Sequence, residues 1–141
     1  MKQLFVVAAC SAALLSGCAS GNKEAGQNPF LSEYNTPFQV PPFDEIKMEH
    51  YKPAFLQGME EQAKEIEAIV NNEEPATFEN TIVALDQSGQ LLSKVSIVFS
   101  GLNSANTNDE MQALSRELSP LLSKHSDDIN LNPKLFARVK E

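Results

Sequence analysis

The chain of 141 residues has no tryptophan and holds only two cysteines and two histidines. Basic side chains are also scarce: 11 Lys and Arg stand against 19 Asp and Glu, for a net charge of −8 and a pI near 4.7. That balance excludes a protein that wraps nucleic acid, which needs clustered Lys and Arg to displace counterions from phosphates. The motifs of several enzyme classes are missing too. There is no Gly-x-Gly-x-x-Gly, no phosphate-cradling loop ending in Lys-Ser/Thr, no Gly-x-Ser-x-Gly and no His-Glu-x-x-His. Long apolar runs are lacking as well. The run Leu4 to Leu15 is too short to cross a hydrocarbon core of roughly 30 Å as a helix. What remains, 42% hydrophobic and 21% charged, is the composition of one globular domain.

The apolar run instead has the length of a signal-peptide core, preceded by Lys2 and followed by Leu15-Ser16-Gly17-Cys18. An aliphatic residue, two small residues and a cysteine resemble the bacterial lipobox, in which the cysteine is lipidated and becomes the new N-terminus. Residues 1–17 are therefore expected to be a lipoprotein signal peptide, with Cys18 the lipidation site and the bilayer a partner through it. Two or more acyl chains anchor stably where one is marginal. Cys10 leaves with the signal. With Cys18 acylated no free thiol survives, which excludes a disulfide, a thiolate catalyst and a Cys-ligated metal. Ala19 after the cysteine, with no Asp there, resembles outer-membrane sorting, so the expected location is the bacterial cell envelope, facing the periplasm.

Residues 18–29 are small and polar and read as a flexible tether. Residues 30–43 place Phe30, Leu31, Tyr34, Phe38, Val40 and Phe43 among Pro37, Pro41 and Pro42. Prolines at this density forbid a helix while the aromatics seek burial, which predicts an extended strap over the domain surface.

From residue 44 to 141 the apolar period is helical. Met48, Tyr51, Phe55, Met59, Ala63, Ile66 and Val70 fall on one face of a helix, which Pro53 predicts to begin near itself, where a missing N–H costs little. Thr77 is the expected N-cap of a second helix carrying Ile82, Leu85, Leu92, Val95, Phe99 and Leu102, with Gly89 a weak point inside it. Thr107-Asn108-Asp109-Glu110 has capping-box spacing ahead of Met111, Leu114, Leu118, Leu121 and Leu122, and Pro120 predicts a kink there. Asn132-Pro133 opens a fourth helix through Leu135, Phe136 and Val139. The sequence stops partway along that amphipathic face, so the region is expected to be cut at its C-terminal end and to expose apolar stripes.

Candidate chemistry is thin. His50 and His125 each lack a second His at the i+4 spacing that aims two imidazoles at one metal. His125 with Asp127 and Asp128 is better explained as a polar helix end, where a positive ring meets the dipole favourably. Asp128-Ile129-Asn130-Leu131-Asn132 imitates the start of a calcium loop, but Pro133 and Val139 stand where Gly and a bidentate Glu are needed. The run Glu60, Glu61, Glu65, Glu67, Glu73 and Glu74 reads as a solvated face. Met48, Phe55 and Met59 read as core, and Tyr51 as core or cleft rim. No residue qualifies as catalytic or metal-binding.

Two stretches are more specific than their periodicity. Pro41-Pro42-Phe43-Asp44-Glu45-Ile46-Lys47-Met48-Glu49-His50-Tyr51-Lys52-Pro53-Ala54-Phe55 with Gly58-Met59, and Pro75-Ala76-Thr77-Phe78-Glu79-Asn80-Thr81-Ile82-Val83-Ala84-Leu85, resemble the N-terminal region of the peptidyl-dipeptidase, oligopeptidase A and thimet oligopeptidase family. Asn103-Ser104-Ala105-Asn106-Thr107, Leu121-Leu122-Ser123-Lys124-His125 and Asn132-Pro133-Lys134-Leu135-Phe136 continue the likeness in the same order. The resemblance implies an all-α fold, antiparallel helical hairpins packed as a bundle that forms the N-terminal wall of a larger, mostly helical zinc metallopeptidase. It implies short peptides as substrates and release of C-terminal dipeptides. The zinc ligands it implies, two His and a Glu, with the Glu of His-Glu-x-x-His as general base, fall beyond Glu141. The 141 residues alone should then bind no zinc and be inactive. The alternative is a lipid-anchored helical binding or scaffold module with no catalytic part.

Overall fold

The computed structural model describes residues 28–141, so the signal peptide, Cys18 and most of the tether lie outside the described residues. The described chain is all-α, with no strand among the described residues. Helix α1 spans Met48–Val70, a π-helical stretch Phe78–Val83 runs into the short α2, Ala84–Asp86, and α3 covers Gln90–Ala105, α4 Asp109–Asn130 and α5 Pro133–Lys140. None of these helices is long and apolar enough to cross a membrane.

Helix α1 is the centre of the assembly, because its apolar stripe is wide enough to serve neighbours on two sides. Tyr51 and Phe55 meet Phe99 of α3, while farther along Glu65 meets Gly89 at the start of α3. The numbers run in opposite senses, so α1 and α3 are antiparallel. Lys52 pairs with Glu117 and Gln62 with His125, so α4 runs parallel to α1. A first core joins Phe30, Tyr51, Ala54, Phe55, Val95, Val98, Phe99, Met111 and Leu118. Its aromatic rings stand 5.2 to 5.6 Å apart, with the Phe55–Phe99 pair edge-on at 89°. Each such pair adds roughly 0.5–1.5 kcal/mol beyond the area it buries. A second, smaller core of Ile66, Ile69 and Leu135 fastens α5 to the other end of α1.

Four local features differ from the sequence expectation. Helix α1 begins five residues before Pro53, which sits exposed inside it. Lys47 N–H donates to His50 Nδ1 at 3.1 Å at the helix entry, and burial of Tyr51, Ala54 and Phe55 offsets the single backbone bond that proline removes. The second helix is not continuous. Gly89 takes φ 72°, a left-handed conformation open to glycine, and breaks the segment into α2 and α3. The N-cap of α4 is Asn108, whose Oδ1 accepts Met111 N–H at 2.8 Å, not Thr107. The strap is not fully extended: Pro29–Leu31 and Pro37–Gln39 form single 3₁₀ turns. It docks from Asn28, whose side chain donates to His50 O at 2.8 Å, inside the stretch expected as tether. Two features agree with expectation. Asn132 Oδ1 caps Lys134 and Leu135 N–H ahead of Pro133, and Thr77 caps the π-helical stretch through Asn80 N–H at 3.1 Å.

Candidate functional site

The two histidines are held by different elements for different purposes. His50, at the start of α1, accepts the Lys47 N–H. His125, near the end of α4, hydrogen-bonds Gln62 Oε1 through Nε2 at 2.8 Å. Among the described residues no group of three His, Cys, Asp or Glu side chains comes together. Asp127 and Asp128 lie exposed after His125, and Asp128 pairs with Lys124 one turn away. Burial pushes the His125 pKa below its ordinary value, with Asp128 opposing that shift and Lys124 adding to it.

The acidic run is divided in its roles. Glu60 forms an i,i+4 pair with Lys64 at 2.6 Å on the surface, which lowers its pKa through that hydrogen bond and charge. Glu65 does more: its Oε2 accepts Gly89 N–H at 2.7 Å, placing a carboxylate at the N-terminus of α3 where the dipole favours it. Gln62 donates to Ser88 Oγ at 3.3 Å, so α1 grips the α2–α3 turn and α4 through adjacent side chains. Of the apolar residues, Phe55 and Tyr51 are buried, while Met48 and Met59 are half-buried.

Beside this network an open groove of about 670 Å³ lies between the C-terminal half of α1 and the α4–α5 turn, walled by Ile66, Val70 and Ile129 with Glu67, His125 and Asp128. Its lining mixes apolar walls with carboxylates and the ammonium of Lys134. His125 on its wall is engaged by Gln62.

Two cationic clamps escaped the sequence reading. Lys94 donates through Nζ to Phe30 O at 3.0 Å and Ser32 O at 2.6 Å, and stands 3.9 Å from the Tyr34 ring centroid. It thereby ties the strap to α3. Burial lowers its pKa, opposed by Glu33. The trace in sequence was a lone cation within Leu91-Leu92-Ser93-Lys94-Val95. Arg138 of α5 donates to Asn72 O at 2.7 Å, to Glu74 O, and to Asn80 Oδ1 at 3.2 Å, closing the loop after α1 against the π-helical stretch. No spacing rule marks such a contact, because its acceptors are mostly backbone carbonyls.

Apolar side chains remain on the outside. Phe38 is 99% exposed, Leu131 78%, Phe136 69% and Ile97 68%.

With a helical hairpin, a parallel third helix and no assembled catalytic cluster described, the comparison with known proteins decides the kinship. No protein-family model matches the chain. Dipeptidyl carboxypeptidase of Escherichia coli is 47% identical over 112 residues, 79% of this chain and 16% of that protein. Dipeptidyl carboxypeptidase of Salmonella typhimurium is 50% identical over the same length and shares. This chain is a relative of the dipeptidyl carboxypeptidases. Oligopeptidase A of Escherichia coli is a more distant relative, 29% identical over 114 residues, 81% of this chain and 16% of that protein. The chain thus spans about 16% of the length of these dipeptidyl carboxypeptidases.

Proposed function

We propose that this chain is the helical N-terminal portion of a lipid-anchored peptidase that hydrolyses short peptides and releases dipeptides from their C-termini. The observation that carries the reading is 47–50% identity over 79% of the chain to proteins named dipeptidyl carboxypeptidase. The helices serve as one wall of a substrate channel, and the bond-breaking groups belong to polypeptide outside these residues.

A zinc ion does not fit the residues described here. His50 is used in the entry to α1 and His125 in the bond to Gln62, and no carboxylate set converges with either. No hydrolytic step is assigned to this chain. Anchoring follows from Leu15-Ser16-Gly17-Cys18, with acyl chains on Cys18 holding the protein to the envelope membrane.

The test is to express the complete polypeptide from the gene encoding this chain and supply N-blocked short peptides. Release of C-terminal dipeptides, abolished by a zinc chelator and absent from the 141 residues alone, is the expected outcome. Release of single amino acids, or no cleavage, would sink the reading. Separately, Cys18→Ser should move the protein from membrane to soluble fractions and end fatty-acid incorporation. Unchanged partitioning and labelling would remove the anchor.

A further inference from the structure

We propose that the strap loop Thr36–Phe43 is a docking element, and that its occupant is an apolar pocket with a basic rim on the part of the peptidase outside these 141 residues. The proposal rests on the peptidase reading above. Phe38 and Gln39 both adopt left-handed backbone conformations, φ 59° and 55°, which L side chains disfavour. The loop nevertheless holds its shape through its own hydrogen bonds. Thr36 Oγ1 donates to Val40 O, Gln39 N–H to Thr36 O at 3.0 Å, and Phe43 N–H to Pro41 O at 2.8 Å. Pro37, Pro41 and Pro42 restrict it further.

This strained and rigid loop buries nothing at its tip. Phe38 is 99% exposed, and Val40 and Phe43 beside it are about half exposed. A segment that is strained, preorganised and tipped with an unburied aromatic has its compensating contact elsewhere. The hydroxyls of Tyr34 and Tyr51 are buried with no hydrogen-bond partner among the described residues, although buried polar groups are nearly always paired. Tyr34 belongs to the strap itself and packs on the first core.

Charge selects the occupant. Asp44 and Glu45 follow the loop directly and Glu33 precedes it, against Lys47 and the Lys94 that stands beside Glu33, so the balance stays acidic: a complementary surface is basic around an apolar centre, and an anionic bilayer is disfavoured by the same carboxylates. Length makes the occupant available, since the chain spans only 16% of the dipeptidyl carboxypeptidases it matches.

The experiment is amide hydrogen exchange on the complete polypeptide, wild type against Phe38→Gly and Phe38→Leu. Glycine relaxes the left-handed backbone but removes the ring, and leucine keeps an apolar anchor. Docking predicts slow exchange across 36–43 in the wild type, a rise of at least tenfold in Phe38→Gly, and an intermediate rate in Phe38→Leu. Fast wild-type exchange, or an unchanged rate in Phe38→Gly, in a polypeptide that still releases dipeptides overturns the docking proposal and leaves the peptidase reading standing. Protection that appears only with added phospholipid vesicles overturns it in favour of a membrane contact. A complete polypeptide without peptidase activity sinks the reading and, with it, the occupant named here.

Discussion

Gly58 of α1 and Leu92 of α3 bring two helix backbones into direct contact: a methyl group on Gly58 would lie 2.8 Å from Leu92 N and 2.9 Å from its Cα. Backbone atoms cannot turn aside as a flexible side chain does. Gly58→Ala must therefore push α3 outward and disturb the Tyr51, Phe55 and Phe99 packing. Overpacking of this kind costs roughly 1–3 kcal/mol, more than the ~1 kcal/mol that alanine gains in a helix. Gly101 is the internal control, with nothing within 4 Å of its added methyl group. Gly101→Ala should stabilise by up to about 1 kcal/mol. Urea denaturation of both variants should give opposite signs, and a neutral or stabilising Gly58→Ala would refute the close approach.

Lys94 gives the strap its hold on α3. Lys94→Met keeps the length of the side chain but leaves Phe30 O and Ser32 O without their donor. Loss of hydrogen bonds to a charged group costs roughly 1.5–3 kcal/mol. The effect should be local, because Phe30 still packs against Tyr51 with ring centroids 5.2 Å apart. Limited proteolysis should cut within Ser32–Thr36 faster in the variant, while the far-ultraviolet circular dichroism of the helices is unchanged. Equal cutting rates would show that Phe30 alone seats the strap.

The stripes that built the cores were legible because burial follows a 3.6-residue period: Tyr51, Phe55, Ile66, Val95, Phe99, Met111, Leu118 and Leu135 were all assigned to helical faces and all are buried. Boundaries were harder. Gly89 looked like a defect in one helix because its partner, Glu65, lies 24 residues upstream, and no local rule couples them. Pro53 misplaced the start of α1 because local propensity favoured a first-turn proline, whereas the buried aromatics on either side favoured helix. The side-chain clamps of Lys94 and Arg138 were invisible for a related reason: their acceptors are carbonyls 58 to 66 residues away. Chemistry was legible mainly as kinship, through motif stretches and not through an assembled set of reactive groups.

Arg138 spans Asn72, Glu74 and Asn80 with one planar group. Lysine carries the same charge but has no fork with which to reach three acceptors at once. Arg138→Lys should therefore loosen α5 by roughly 1–3 kcal/mol, with the loss confined to Pro133–Lys140 and the loop after α1. Hydrogen exchange should speed up there and stay unchanged in α3. Unaltered exchange in α5 would mean that Leu135, seated among Ile66 and Ile69, is sufficient to hold it.

His125 makes stability depend on pH in a definite direction. Burial lowers its pKa from the ordinary 6.5, with Asp128 acting against the shift and Lys124 with it. Between the lowered folded value and 6.5 the unfolded chain binds more protons than the folded chain, so stability rises with pH across that window. The contribution is complete above 6.5 and is lost as pH falls through the folded value. The melting temperature should hold steady above about pH 6.5 and decline as pH falls below it toward the lowered folded value. His125→Gln does not titrate and can still donate to Gln62, so it should flatten the decline without lowering stability at the acid end. Melting curves of both proteins across that range decide the point. An equally steep decline in His125→Gln would assign the pH dependence to another group.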